Sequence, residues 1–186
     1  MEKPIGVILA GGRGSRIGGS KALVSLRGRP LVRYPLGALR EVLDDVVVLA
    51  KADTELPSLP GVEVWIEADR RHHPLIGIVE ALALAGGRPV LVCAVDLPFV
   101  TSELVRRLAA SERVTVAGWR GAIQPLLGRY DAWALEALSG QLGPAQEVVR
   151  ELRPDVVDVG DPRELFNVNS PADVLQAAGM LERKGA

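Results

Sequence analysis

A single cysteine among 186 residues, Cys93, excludes any disulfide within the chain and all but excludes a cysteine-based metal site. It lies in the apolar run 90–95, where a thiol serves as a small buried hydrophobe rather than a nucleophile. Aromatic residues make up only 4% of the chain. Trp65, Trp119 and Trp133 could stack on a planar ring, but so sparse a set is expected in the core. Charge of one sign is not in excess: 22 Lys and Arg face 23 Asp and Glu, a net charge of -1. Neither a nucleic acid nor a membrane surface is therefore expected as a partner, and any anion recognition must be local. Long apolar runs are missing too. The longest uncharged stretch, 137–146, contains Ser, Gly, Gln and Pro, so no segment approaches a membrane span. Met1-Glu2-Lys3-Pro4 runs straight into a strand-like segment with no basic leader, and the expected compartment is the cytoplasm.

What is present fits one α/β domain over residues 1–186. Apolar residues are 48% and charged residues 24%, with 20 Gly and 13 Pro to make sharp turns. Short β-branched runs recur at 5–10, 46–50, 62–66, 90–95, 114–117 and 156–159. Between them lie helical spacings at 30–43, 74–85, 102–110, 131–139, 144–152 and 171–181. Pro30, Pro74, Pro144 and Pro171 suit first turns, Gly86-Gly87 suits a C-terminal cap, and Ser170 suits an N-cap. Pro35 and Gly37 imply that the first helix is kinked or begins later. The alternation predicts a three-layer, mainly parallel, Rossmann-like sheet. Residues 116–130, with Gly118, Gly121 and Gly128 among apolar positions, predict one late antiparallel segment. Oligomeric state is not legible.

The chemistry concentrates after the first strand, in Gly11-Gly12-Arg13-Gly14-Ser15-Arg16-Ile17-Gly18-Gly19-Ser20-Lys21. Five glycines in nine residues free backbone N–H groups to converge on an anion, and Arg13, Arg16 and Lys21 surround it with cations. The chain has only four lysines, so Lys21 is not a product of composition, and a compact ammonium suits a phosphate that moves during reaction. The loop meets neither the dinucleotide fingerprint nor the P-loop, whose closing Lys-Ser pair is reversed here. A plain glycine linker is the alternative. Asp96 follows the strand at 90–95, at the sheet edge where the glycine loop should lie. A carboxylate there can hold Mg²⁺ while phosphates and water complete the coordination; capping the next turn is the simpler use. Asn167 and Asn169 are the chain's only asparagines, and in an extended Asn-Val-Asn their side chains share a side. They could line a phosphate or metal site, or cap the helix that follows. His72 and His73 could form a base or a metal pair, but adjacent loop histidines usually point apart.

The run Leu9-Ala10-Gly11-Gly12, then Arg16-Ile17-Gly18-Gly19, then Lys21-Ala22-Leu23, resembles the signature of the sugar-nucleotide-type nucleotidyltransferases. Within them the chain is most similar to the molybdenum cofactor guanylyltransferase family. Pro74-Leu75, Gly77, Asp96-Leu97-Pro98-Phe99, Gln124-Pro125 and 166–171 follow in that family's order. The resemblance implies transfer of GMP from GTP to molybdopterin, with Mg²⁺ and release of pyrophosphate. It implies Arg16, Lys21 and Asp96 as catalytic residues, Asp96 also on the metal. It further implies nucleotide contacts from Leu9, Ala10, Gly11, Gly12, Lys21, Asp96, Asn169 and an acidic residue after the third strand. Glu67 and Asp69 are both eligible for that last role, and Asp69 is preferred. Two positions depart from the pattern: Ser20 stands where the family usually has Asp, and Leu49 where some members have Asn. A relative with another base or acceptor, such as a cytidylyltransferase, or a silent nucleotide-binding regulator, remains the competing expectation.

Overall fold

The structure is a computed structural model and describes residues 3–12, 19–69 and 71–182. Its seven-stranded sheet comprises β1 (Ile5–Leu9), β4 (Val46–Ala50), β5 (Glu63–Ile66), β6 (Val90–Ala94), β7 (Thr115–Trp119), β8 (Ala122–Tyr130) and β9 (Asp155–Asp158). A two-stranded ribbon, β2 (Ser25–Leu26) and β3 (Arg29–Pro30), lies outside it. The helices are α1 (Arg33–Arg40), α2 (Pro74–Leu84), α3 (Ser102–Ala109), α4 (Ala134–Leu138), α5 (Ala145–Glu151) and α6 (Pro171–Glu182).

Strand order is β5-β4-β1-β6-β8-β7-β9, and β8 alone runs against the rest. The expected late reversal is this strand. It is produced by a two-residue turn, Arg120-Gly121, whose φ values of 49° and 83° match the right-handed twist of the flanking strands. Every residue of β4 and β6 is buried, because helices cover both faces of the sheet. Successive residues sort accordingly. Leu91 and Cys93 join Leu36, Leu39, Leu104 and Leu108 of α1 and α3, whereas Val90 and Val92 join Leu75, Ile78, Leu138 and Val149 on the other side.

The first helix starts later than the spacing at 30–43 suggests. Pro30 closes the small ribbon, and Pro35 falls in the opening turn of α1, where no kink results. Pro144 precedes α5 as its N-cap, while Pro74 and Pro171 open α2 and α6 as expected. Gly86 and Gly87 take φ values of 62° and 91° beyond α2, as a left-handed cap requires. Trp133 is 55% exposed, contrary to a core role, because it lies just before the short α4 on the outer surface.

The topology positions the site. α1 leaves β1 on one face and α2 enters β6 on the other, so the sheet's switch point is the crevice beyond the carboxyl end of β1. Among the described residues no helix is long and apolar enough to cross a membrane.

Candidate functional site

Three elements far apart in sequence converge at that crevice. Lys21 opens a short helical turn after the glycine loop, Asp96 follows β6, and Asn169 precedes α6. The Lys21 ammonium donates to Asp96 Oδ2 at 2.6 Å and to Asn169 Oδ1 at 2.6 Å. Both charged side chains are nearly buried, 14% and 13% exposed. Local chemistry explains how Asn169 arrives there. Val168 is fully buried and its N–H donates to the Asp96 carbonyl at 2.9 Å, pinning the segment to the end of β6. Asp173 accepts from the Asn169 N–H at 2.9 Å, while its own N–H donates to Ser170 Oγ at 3.3 Å. Hydrogen bonding from the Asn169 backbone N–H, and then from the Ser170 hydroxyl, holds the Asp173 carboxyl below the ordinary carboxylate range.

Asp96 Oδ1 is buried with no partner among the described residues, and so is Ser20 Oγ. A carboxylate oxygen left unsatisfied costs free energy unless something binds it. Among the described residues no group of three or more His, Cys, Asp or Glu could hold a metal unaided. The free oxygen therefore fits a hard cation that takes most of its ligands from phosphate and water.

A cavity of about 250 Å³ extends from this triad and is lined by Leu9, Gly11, Gly12, Leu49, Gly77 and Leu126 among others. At its other end stands a second lysine-carboxylate pair, Lys51 with Glu67, at 2.9 Å. Lys51 also donates to the carbonyls of Asp69 at 2.6 Å and Arg71 at 3.0 Å, so all three of its N–H groups are used. Glu67 leans over Gly11 so closely that a Cβ there would run into its Oε2.

The expected residues are distributed as follows. Leu9, Gly11, Gly12, Lys21 and Asp96 line the cavity, and Asn169 reaches it through Lys21. Ala10 is buried, and its N–H is occupied by the Leu49 carbonyl at 2.8 Å. Arg16 lies outside the described residues, as does the rest of 13–18. Asp69 is turned away from the lining and clasped by Arg71, whose guanidinium holds its carboxyl down to about 2. Glu67 faces the cavity in its place. Asn167 does not join Asn169, since its amide donates back to the Leu165 carbonyl at 3.1 Å. The two histidines diverge: His73 Nδ1 accepts from Leu75 N–H and caps α2, while His72 Nδ1 lies 3.3 Å from the Gly11 carbonyl. No tryptophan lines the cavity. Lys51 escaped the sequence reading altogether, although lysine scarcity marks it as it marks Lys21.

A Rossmann-like sheet with Gly11, Gly12, Lys21 and Asp96 at the switch point defines an α/β nucleotidyltransferase fold. The same fold is seen in the molybdopterin-guanine dinucleotide biosynthesis protein A from Archaeoglobus fulgidus, with a TM-score of 0.76 at 24% identity, covering 96% of this chain and 98% of that one. It is seen again in the 2-C-methyl-D-erythritol 4-phosphate cytidylyltransferase from Thermus thermophilus, with a TM-score of 0.65 at 21% identity, covering 98% and 100%. Residues 6–156 match the MobA-like NTP transferase domain, and the chain belongs to that family. Its relatives include the probable molybdenum cofactor guanylyltransferase of Pelotomaculum thermopropionicum, 33% identical over 98% of this chain and 95% of that protein. The molybdenum cofactor guanylyltransferase of Cereibacter sphaeroides is 33% identical over 96% and 97%. The chain is thus a nucleotidyltransferase.

Proposed function

We propose that this enzyme transfers GMP from GTP to molybdopterin, forming the guanine dinucleotide form of the molybdenum cofactor and releasing pyrophosphate. Full-length similarity to molybdenum cofactor guanylyltransferases supports the substrates. The observation that carries the site assignment is the meeting of Lys21, Asp96 and Asn169 at the switch point, with Asp96 Oδ1 left unpartnered.

The triphosphate lies between the glycine loop and the triad, and the base enters toward Leu9, Leu49 and Glu67. Asp96 would hold Mg²⁺, whose chemistry is to neutralise phosphate oxygens and make pyrophosphate a better leaving group. The acceptor's terminal phosphate is a monoester with a second pKa near 6, already anionic at neutral pH. An oxygen of that phosphate bonds to the α-phosphorus of GTP in line, and the bond to the β-phosphate oxygen breaks with its electron pair. No protein base is needed. What the chain supplies is position and charge: Lys21, released from Asp96 to the phosphates, follows the developing negative charge, and Asn169 keeps its ammonium in place. Arg16 adds a second cation from the loop.

The direct test is pyrophosphate release from GTP with and without molybdopterin. Release that requires both substrates is expected. Equal release with CTP in place of GTP would favour a cytidylyltransferase instead, and nucleotide binding without release under any condition would favour a regulator.

A further inference from the structure

The second lysine-carboxylate pair has a geometry that the transfer step does not use. Lys51 and Glu67 come from the carboxyl ends of neighbouring strands β4 and β5, and their side chains are 8% and 7% exposed. A buried pair of this kind contributes little net stability over apolar residues of the same volume, so its retention in a ligand cavity calls for another reason. Lys51 supplies that reason through its partners. It binds Glu67 Oε1, the Asp69 carbonyl and the Arg71 carbonyl, and so ties the carboxylate and the loop after β5 into one unit. With Oε1 held, Oε2 is directed over Gly11, whose missing side chain is what leaves it room. The walls around it, Leu9, Leu49 and Ala94, offer no side-chain hydrogen bonds.

We infer that Lys51 is a positioning residue for base selection: it fixes Glu67 so that a carboxylate oxygen reads the donor edge of a guanine ring. A carboxylate only accepts hydrogen bonds, and guanine presents an N1–H and a 2-amino group side by side. Adenine and cytosine place an acceptor nitrogen at the matching ring position and meet the carboxylate with repulsion. Fixing the carboxylate matters because a free glutamate would rotate to suit a wrong base or drift toward water. Lys51 also cancels its charge, so the cavity does not repel the triphosphate. This inference rests on the reading that the cavity holds GTP.

The test compares binding of GTP and inosine triphosphate, which lacks only the 2-amino group, by calorimetry on the full chain with Mg²⁺. The wild-type protein should favour GTP by about tenfold to a hundredfold, the value of one hydrogen bond to a charged acceptor. Lys51→Arg keeps the cation and the fold, but a planar guanidinium cannot meet the same three acceptors, so the preference should fall several-fold. The double variant Lys51→Met with Glu67→Leu removes both charges together, which avoids an unpaired buried ion, and should bind the two nucleotides about equally. A merely structural pair would leave the ratio unchanged in both variants, and that result overturns the inference while the transferase reading stands. A wild-type protein that binds neither nucleotide overturns the transferase reading, and the inference with it.

Discussion

The cavity carries a lysine-carboxylate pair at each end, and the two are built differently. Lys51 and Glu67 are closed: all three ammonium hydrogens have acceptors within the protein. Lys21 and Asp96 are open: a carboxylate oxygen and the neighbouring Ser20 hydroxyl are buried without partners, although the contact itself is shorter, 2.6 Å against 2.9 Å. A short ion pair is thus not the mark of a finished structure. The open pair has spare valence for a ligand and exchanges partners during reaction, whereas the closed pair holds a wall in shape. Distance alone would have ranked them the other way.

The comparison breaks first on stability. Lys51→Met strands a buried carboxylate and should cost about 3–5 kcal/mol in urea unfolding, while Lys21→Met strands the somewhat more exposed Asp96, in a pair 14% and 13% exposed against 8% and 7%, and should cost less. Equal losses would mean that both pairs are structural. Asp96→Asn keeps shape but removes the charge, and should lower the rate of pyrophosphate release on the order of a hundredfold to a thousandfold with Lys21→Ala close behind. A near-normal rate in either variant would remove the open pair from the chemistry. Gly11→Ala probes the contact between the two ends. Its methyl displaces Glu67 Oε2 from the buried pair, so GTP binding should weaken about tenfold by calorimetry, and the crowding should also cost about 1–3 kcal/mol in unfolding.

The smallest effect is electrostatic and lies just outside the cavity. Asp69 titrates at about 2, against the ordinary 3.8, chiefly because of its hydrogen bond from Arg71. A depressed carboxylate stabilises the fold above its unfolded pKa, and that contribution fades as pH falls from about 4 toward 2. Arg71→Ala should return the Asp69 midpoint toward 3.8 in an NMR titration and flatten this part of the acid-unfolding curve. An unmoved midpoint would mean that the clasp is absent in solution.

Much of this was legible in the chain because it is local. β-branched runs bounded by Gly and Pro gave the strands, and the Arg120-Gly121 turn lies inside the segment whose glycines announced a reversal. Glycine density and a scarce lysine marked the phosphate loop, and the position of Asp96 after an apolar strand marked the same edge. Spacing does not separate Glu67 from Asp69, because register within a loop is set by how the chain turns: the strand ends at Ile66, after which Glu67 faces the cavity and Asp69 meets Arg71. The partnership of Asn167 and Asn169 failed for a related reason, since the bond from Asn167 to Leu165 turns its amide back on its own backbone.

Composition, periodicity and one glycine-rich motif suffice for the class of fold, the direction of its late strand and the edge on which chemistry occurs, because each follows from backbone sterics and burial over a few neighbouring residues. Which polar atoms face one another across that edge is a matter of packing. Lys21 reaches Asn169 across 148 positions and Lys51 reaches Glu67 across 16, and these contacts exist only once the helices have closed on both faces of the sheet.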